Sequence, residues 1–205
     1  QQGHDVVLCE KTGELGGVLR CEKTAPFKAN LEKYLDYQAD LVKKLGIDVR
    51  LNTAVDPEYA KAENCDVIIC ALGADTSKPP IPGIDGPNVV DVTDCYRHPE
   101  KTGRKVVILG GGLSGTELAI LLNKFYDRDC VVVEMMDALG NGGNLIHGIA
   151  INKELKYSTI DVRVKTMCTR IDEKGAWVKS GETESFIAAD TVVVALGMRS
   201  RSAEA

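Results

Sequence analysis

Three glycines at fixed spacing are the first feature of this sequence that points to chemistry. Gly110, Gly112 and Gly115 form the pattern G-x-G-x-x-G between the apolar run Lys105–Leu109 and the helix-forming segment 116–122. In this pattern the first glycine allows a tight turn, the second lets the backbone approach a pyrophosphate, and the third lets the helix pack closely on the strand. The helix N-terminus then offers unpaired N–H groups to the phosphates. The predicted dinucleotide contacts are Gly110, Gly111, Gly112, Leu113, Ser114 and Gly115.

A glutamate stands where such a site needs an acid. Glu134 ends the next apolar run, 134 − 115 = 19 positions after Gly115, close to the ~20 expected for an acid that binds ribose hydroxyls. A carboxylate there repels a 2′-phosphate, and Met135 and Met136 follow it without a nearby downstream arginine. The sequence thus favours NADH over NADPH. Glu117, early in the predicted helix, either reaches the nicotinamide side or lies in solvent. The alternative to dinucleotide binding is a glycine-rich turn that serves packing alone.

The chain contains one arrangement of segments twice. In each copy an apolar run ends in a glutamate, Glu10 or Glu134, and is followed by a glycine-rich loop, a second β-like run and a third run ending in Ala-Leu-Gly. The glutamate precedes that alanine by 71 − 10 = 61 positions in the first copy and by 195 − 134 = 61 in the second. Three matches in one order predict two copies of a supersecondary unit, unless β-rich segments simply look alike. The matching segments are 5–10 and 130–134, 47–53 and 160–166, and 66–73 and 190–197.

Helices and turns connect these strands. Apolar residues in segment 29–45 recur with helical spacing, and Gly46 stands where a C-terminal cap belongs. The second copy has a shorter helix near 145–155 and, over 168–187, two turn signals that predict a small antiparallel meander. Alternating strands and helices predict a parallel sheet with both faces covered. The proline-rich segment 78–83 is the expected crossover between the copies.

Composition argues against several classes of protein. Lys+Arg number 25 against 30 Asp+Glu, giving a net charge of −5, which disfavours a nucleic-acid partner. No apolar run reaches the ~18 residues that span a bilayer, and no signal peptide is recognisable. We therefore expect neither a membrane partner nor a nucleic-acid partner.

Seven scattered cysteines, an odd number without C-x-x-C spacing, predict neither a metal site nor a thioredoxin-type dithiol. They fit a reduced, cytoplasmic compartment. Cys65 and Cys70 have the C-x-x-x-x-C spacing of some disulfide reductases, but they flank the apolar run 66–69, which predicts a buried strand. We interpret both as small hydrophobic residues, with a redox dithiol as the alternative.

The sequence resembles the C-terminal FAD/NAD(P)-binding region of the NADH:flavin oxidoreductase family, which includes 2,4-dienoyl-CoA reductase and trimethylamine dehydrogenase. The resemblance rests most specifically on segments 13–20, 51–55 and 71–73, the last followed by 81–85. It implies an α/β fold of two Rossmann-like domains of the three-layer ββα type, the second inserted in the first. The implied boundaries are 1–85 with 198–205 for a partial FAD-binding domain and 86–197 for an NAD(P)H-binding domain.

The FAD-binding domain is expected to be truncated. Gly110 precedes Glu134 by 134 − 110 = 24 positions, so the equivalent glycine of the first copy falls at 10 − 24 = −14, before residue 1. We therefore expect this chain to be part of a longer protein. The resemblance places Glu10 at the FAD ribose and the backbone of Val55 at adenine, and Gly197 belongs to the NAD set. The implied FAD contacts are Glu10, Lys11, Gly16, Gly17, Arg20, Val55, Ala71, Leu72 and Gly73.

The resemblance implies an electron-input module of a flavin-dependent oxidoreductase. Hydride would pass from NADH to FAD, and electrons would continue through a 4Fe-4S cluster to FMN in an N-terminal barrel domain, to reduce an enoate-type or dienoyl-CoA-type substrate. Because cofactors carry this chemistry, no catalytic side chain is predicted. His4, His98 and His147 are interpreted as surface residues, and Trp177 as a packing residue of the meander. The alternative function is a structural domain that binds an adenine nucleotide such as ADP without turnover.

Overall fold

The computed structural model describes residues 2–140 and 143–204. Two compact units divide the chain, Gln1–Gly73 with Ser200–Ala205 and Ala74–Arg199. The second unit is therefore inserted in the sequence of the first. Ile81 and Ile84 pack in the core of the second unit. No helix in the described part of the chain is long and apolar enough to cross a membrane.

The first unit is built around a pair of short parallel strands. Strands β1 (Val7–Cys9) and β2 (Asp48–Arg50) pair in parallel, and helix α1 (Ala29–Lys44) connects them. Helix α2 (Pro57–Ala62) follows, with Asp56 as its N-cap. Helix α1 confirms the helix predicted over 29–45, and Gly46 adopts φ +70°, the left-handed conformation that ends many helices.

A five-stranded parallel sheet organises the second unit. The elements after Gly73 are β3 (Ala74–Thr76), β4 (Val89–Asp91), α3 (Val92–Arg97), β5 (Lys105–Leu109), α4 (Leu113–Tyr126), β6 (Asp129–Val133), α5 (Leu145–Lys156), β7 (Asp161–Arg163), β8 (Met167–Asp172), β9 (Gly175–Ser180), β10 (Thr183–Ala188), β11 (Thr191–Val194) and β12 (Met198–Ser200). The sheet order is β4-β11-β5-β6-β7, with every neighbouring pair parallel. Strands β5 and β11 are nearly continuous aliphatic runs because both faces of the sheet are buried.

Two further layers cover this sheet. On one face Val107 and Leu109 share a core with Ile171 and Val178 of the antiparallel meander β8-β9-β10. Because side chains alternate along a strand, Ile108 points to the opposite face, where α4 packs on β5 and β6. The predicted meander and the predicted Rossmann-like α/β fold with three layers are thus confirmed.

The meander also accounts for the tryptophan. The ring of Trp177 lies 5.1 Å from that of Phe186 and carries the Arg170 guanidinium 4.1 Å above it. Its indole N–H donates to Asp172 at 3.1 Å. Trp177 is therefore held by its neighbours on the adjacent strands of the meander, as a packing residue is.

The internal repeat is reproduced bond by bond. In the first unit the N–H of Glu10 donates to the carbonyl of Arg50 at 3.0 Å, and the N–H of Thr53 donates to the carbonyl of Glu10 at 2.9 Å. The second unit repeats both bonds at 2.9 Å, from Glu134 N–H to the Arg163 carbonyl and from Thr166 N–H to the Glu134 carbonyl. Since these bonds fix the loop after each glutamate, the two units present their acids in the same way.

The buried strand predicted within segment 66–73 is wrong. This segment forms no strand, and Val67 and Ile69 are 75% and 85% exposed. The equivalent strand β11 is buried because it pairs with β4 and β5, whereas the sheet of the first unit contains only β1 and β2 among the described residues. Cys65 and Cys70 are exposed free thiols as well, so their interpretation as buried small hydrophobic residues is also wrong.

Candidate functional site

The glycine loop has the backbone that its three glycines predict. Gly110 adopts φ +103°, and a Cβ there would overlap the Ala195 carbonyl oxygen. A Cβ at Gly115 would overlap the Gly110 carbonyl oxygen, so the helix approaches the strand as closely as a glycine permits. A Cβ at Gly112 would meet no atom within 4 Å. The middle glycine therefore faces open space, where a ligand can approach the backbone.

Helix α4 begins at this loop without a side-chain cap. Its N-cap residue is Gly112, which has no side chain that could accept a hydrogen bond from the first turn. The backbone N–H groups of that turn are therefore available to a ligand. The Thr116 hydroxyl donates to the Gly111 carbonyl at 3.0 Å and stiffens the loop. Fourteen residues of helix add the partial positive charge of a helix N-terminus.

Glu134 is fixed beside the loop by two backbone bonds. Its Oε2 accepts from Gly111 N–H and its Oε1 from Met136 N–H, both at 2.7 Å. A carboxylate has about four lone-pair sites, so each oxygen retains capacity for a ribose hydroxyl. The acid therefore lies beside the glycine loop.

A cavity of about 750 Å³ lies at the carboxyl ends of β5, β6 and β11. Open parallel sheets bind ligands at this edge, and the volume is in the range of small-molecule sites. Seven predicted residues meet along it: Gly110, Gly112, Leu113, Ser114, Gly115, Glu134 and Gly197. Gly111 does not line the cavity but binds Glu134.

Sequence reasoning missed much of the cavity wall. Residues that follow β7 and β11 in the chain, including the first residues of β8 and β12, were not predicted, among them Thr166, Met167, Cys168, Leu196 and Met198. The repeat contained a signal for Thr166, because Thr166 matches Thr53 in the first copy. Each threonine follows the strand that neighbours the one ending in Glu10 or Glu134. The remaining positions depend on which strand ends are neighbours, which only the sheet order shows.

Glu117 does not lie in solvent, contrary to one of its two predicted positions. It is buried at 7% exposure, and its Oε1 lies 2.9 Å from Nε2 of His147. It does not line the cavity. The interpretation of His147 as a plain surface residue is wrong for the same reason, since its half-buried ring joins α5 to α4.

We expect His147→Ala to lower the free energy of unfolding by about 1–3 kcal/mol, because the buried Glu117 carboxylate loses the imidazole beside it. The matched control is His98→Ala, since His98 pairs with Glu100 at the surface and such pairs contribute ~1 kcal/mol or less. Urea unfolding of both variants measures the difference. Equal stabilities would contradict a structural role for the Glu117–His147 contact.

A second prediction concerns the closest backbone approach in the site. Gly115→Ala places a methyl group against the Gly110 carbonyl oxygen, and overpacking of this kind costs about 1–3 kcal/mol. Gly148→Ala is the control, because a Cβ there meets nothing within 4 Å and alanine favours a helix. Thermal unfolding should show a lower Tm for Gly115→Ala and an equal or higher Tm for Gly148→Ala. An unchanged Tm of the Gly115→Ala variant would contradict the close approach of helix α4 to strand β5.

In the first unit the backbone of Glu10 is held as that of Glu134 is, but fewer of the predicted FAD contacts are gathered around it. Oε1 of Glu10 accepts from Thr12 N–H at 2.7 Å, the counterpart of the bond between Glu134 and Met136. Arg20 is engaged with Glu14 and Asp36 at 3.3 Å each and with the Leu15 carbonyl. Of the other predicted FAD contacts, Gly16, Gly17 and Gly73 have positive φ, and Lys11, Val55, Ala71 and Leu72 are exposed.

Known proteins share this sequence and fold. The chain is 33% identical over 198 residues to bilirubin reductase of Mediterraneibacter gnavus, covering 97% of this chain and 31% of that protein. It is 32% identical over 199 residues to cinnamate reductase of Clostridium sporogenes, covering 96% and 30%. Among solved structures, a 2-naphthoyl-CoA reductase complex superimposes with a TM-score of 0.90 at 28% identity, over 98% of this chain and 31% of that one. The chain thus spans about a third of the length of these relatives.

The fold and the glycine loop are those of Rossmann-like units of the kind that bind FAD and NAD(P). The sequence profile of the pyridine nucleotide-disulphide oxidoreductase family matches residues 1–205, and the chain belongs to that family. The resemblance to the FAD/NAD-binding region of flavin oxidoreductases is confirmed by these relatives.

Proposed function

We propose that the second unit binds NADH and that the chain is the electron-input module of a larger flavin-dependent oxidoreductase. The observation that carries the NADH site is the pairing of Glu134 with Gly111 beside the open Gly112. The acid would accept the ribose hydroxyls of the adenosine half, and the N-terminus of α4 would bind the pyrophosphate. Gly197 and its neighbours would line the opposite, nicotinamide end, since β11 and β6 flank β5 on either side.

The first unit would bind FAD through its adenosine half. The backbone of Glu10 makes the same hydrogen bonds as that of Glu134. One of these bonds comes from Thr53, so the segment from Thr53 to Val55 begins beside Glu10. The described residues contain no counterpart of the 110–115 loop in this unit, so the FAD site formed by these residues is partial. The remaining implied contacts, Lys11 and residues 71–73, are accessible to a ligand. When bound, the two cofactors supply hydride transfer from the nicotinamide to the flavin.

The chain's own residues would bind, orient and select the dinucleotide. No side chain needs to accept or donate a proton in this role. The named relatives reduce bilirubin, cinnamate or 2-naphthoyl-CoA, which supports an enoate-type or acyl-CoA-type final substrate. The family resemblance of the sequence further implies a partner domain that would carry FMN and a 4Fe-4S cluster. In this proposal the substrate site and that domain would lie outside the present chain.

A second candidate function follows from the same geometry. Glu134 and the glycine loop would recognise ribose and pyrophosphate, which ADP also contains, so a structural domain that binds ADP without turnover would use the same residues. Anaerobic NADH added to the longer, flavin-loaded protein separates the two. We expect flavin absorbance to be lost with NADH and to change far more slowly with NADPH. Binding of ADP together with no bleaching by NADH would favour the structural domain.

A further inference from the structure

The four methionines of the chain share one location. Met135, Met136, Met167 and Met198 are all the methionines in the sequence, and all four line the cavity at the carboxyl edge of the sheet. The 21 residues that line this cavity are about a tenth of the chain, so a random distribution would place most methionines elsewhere. The cavity therefore has an unusually thioether-rich wall.

These thioethers are accessible and lie at both ends of the cavity. Met135 and Met136 are 64% and 57% exposed, and Met167 and Met198 are each 48% exposed. Three of them lie on the β6–β7 side with Glu134, and Met198 lies on the β11 side, where the Thr76 hydroxyl is 3.8 Å from its sulfur. A dinucleotide that fills the cavity would cover methionine side chains that are exposed to water in its absence.

The thiol in the same wall is less reactive. Cys168 also lines the cavity, but burial raises the pKa of its thiol to about 11, so the nucleophilic thiolate is scarce at neutral pH. Its Sγ lies 3.5 Å from the Arg170 carbonyl. The thioethers are therefore the accessible oxidisable groups of the cavity wall.

We infer that this cavity is a modification site, at which a hydroperoxide oxidises Met135, Met136, Met167 and Met198 and thereby weakens NADH binding. The inference rests on the proposed NADH site. In each event a sulfur lone pair attacks the terminal oxygen of the hydroperoxide, the O–O bond breaks, and that oxygen becomes bound to sulfur. Its proton passes to the other oxygen, which leaves as water from hydrogen peroxide or as an alcohol from an organic hydroperoxide. Sulfur loses two electrons and the peroxide gains them. The product is a polar sulfoxide, which methionine sulfoxide reductases convert back.

The weakening has a simple physical cause. A thioether is apolar and polarizable and adapts to a flat base or ring, whereas a sulfoxide oxygen is a strong acceptor that needs a hydrogen bond. Covering such an oxygen with a dinucleotide, without a new donor, costs as much as burying any unpaired polar group. We expect a roughly tenfold or greater rise in the Kd for NADH after complete oxidation.

The test uses the whole chain and hydrogen peroxide. Mass spectrometry counts the sulfoxides and any over-oxidised cysteines, and dithiothreitol reduces disulfides and sulfenic acids without reducing sulfoxides. Calorimetry gives the Kd for NADH before and after oxidation. Methionine sulfoxide reductases of both stereospecificities should then restore the initial Kd. Saturating NAD⁺ during oxidation should slow sulfoxide formation at all four positions. A Kd that stays constant with four sulfoxides present, or a rise that the reductases do not reverse, would overturn the inference.

A variant with all four methionines changed to leucine provides the matched comparison. Its own Kd before oxidation is its reference, and that Kd should not change after peroxide treatment. An equal rise in this variant would assign the effect to other residues and overturn the inference. If the untreated native chain does not bind NADH, the proposed function fails and the inference with it. NADH binding that peroxide leaves intact overturns the inference alone.

Discussion

Gly112→Thr should lower the affinity for NADH by about 100-fold or more without destabilising the chain. The new side chain would project into the open space beside the loop, where Gly112 now has no neighbour within 4 Å. Its hydroxyl can also cap the first turn of α4, as threonine does at N-cap positions, and so occupy N–H groups that would bind phosphate. Loss of two charge-assisted hydrogen bonds, at about 1.5–3 kcal/mol each, gives the expected factor.

Gly148→Thr is the control for this substitution. Residue 148 lies in α5, outside the cavity lining, and a Cβ there also meets nothing within 4 Å. Calorimetric titration with NADH and urea unfolding should be made on both variants. Native-like NADH affinity in Gly112→Thr, with the chain folded, would show that no pyrophosphate approaches this glycine.

Glu134→Gln should weaken NADH binding by roughly 10-fold to 100-fold and reduce the preference over NADPH. Both carboxylate oxygens of Glu134 accept backbone bonds, and an amide has one acceptor oxygen and one NH₂ group. The NH₂ group of the glutamine would therefore face one of the backbone N–H donors, at Gly111 or Met136. The charge-assisted bonds to ribose would also be lost. The repulsion of a 2′-phosphate would be lost with the charge, so the affinity for NADPH should fall less than the affinity for NADH.

Glu154→Gln removes a carboxylate of the same unit away from the cavity. Glu154 pairs with Lys124 at the surface, so its loss should leave both dinucleotide affinities unchanged. The ratio of the Kd for NADPH to the Kd for NADH is the deciding quantity. An unchanged ratio in Glu134→Gln would mean that this acid does not select the ribose.

The second unit could be predicted from the sequence because its signals are local. Aliphatic runs predict the central strands, and Gly110, Gly112 and Gly115 lie between one such run and a helix. Glu134 lies at the end of the neighbouring strand in the structure, as its spacing from Gly115 predicts. The repeat correctly matches β1 and β2 of the first unit with β6 and β7, and the structure gives Glu10 the same backbone hydrogen bonds as Glu134.

The errors concern contacts that local signals do not encode. Segment 66–73 has the composition of a buried strand, but burial depends on partners on both sides, and only its counterpart β11 has them. The contact between Glu117 and His147 joins two helices, and neither helix shows it in its own periodicity. Likewise, Met167 and Met198 meet in one cavity only because of the order of strands in the sheet.

The most direct test of the account compares NADH with ADP on the native chain by isothermal titration calorimetry. Both ligands contain the ribose and pyrophosphate that Glu134 and the glycine loop would bind. We predict one NADH per chain with a Kd at least tenfold lower than that of ADP, because the nicotinamide half would fill the cavity toward Gly197. Binding of ADP as tight as that of NADH, or no binding of NADH, would contradict the claim that this cavity is a nicotinamide dinucleotide site.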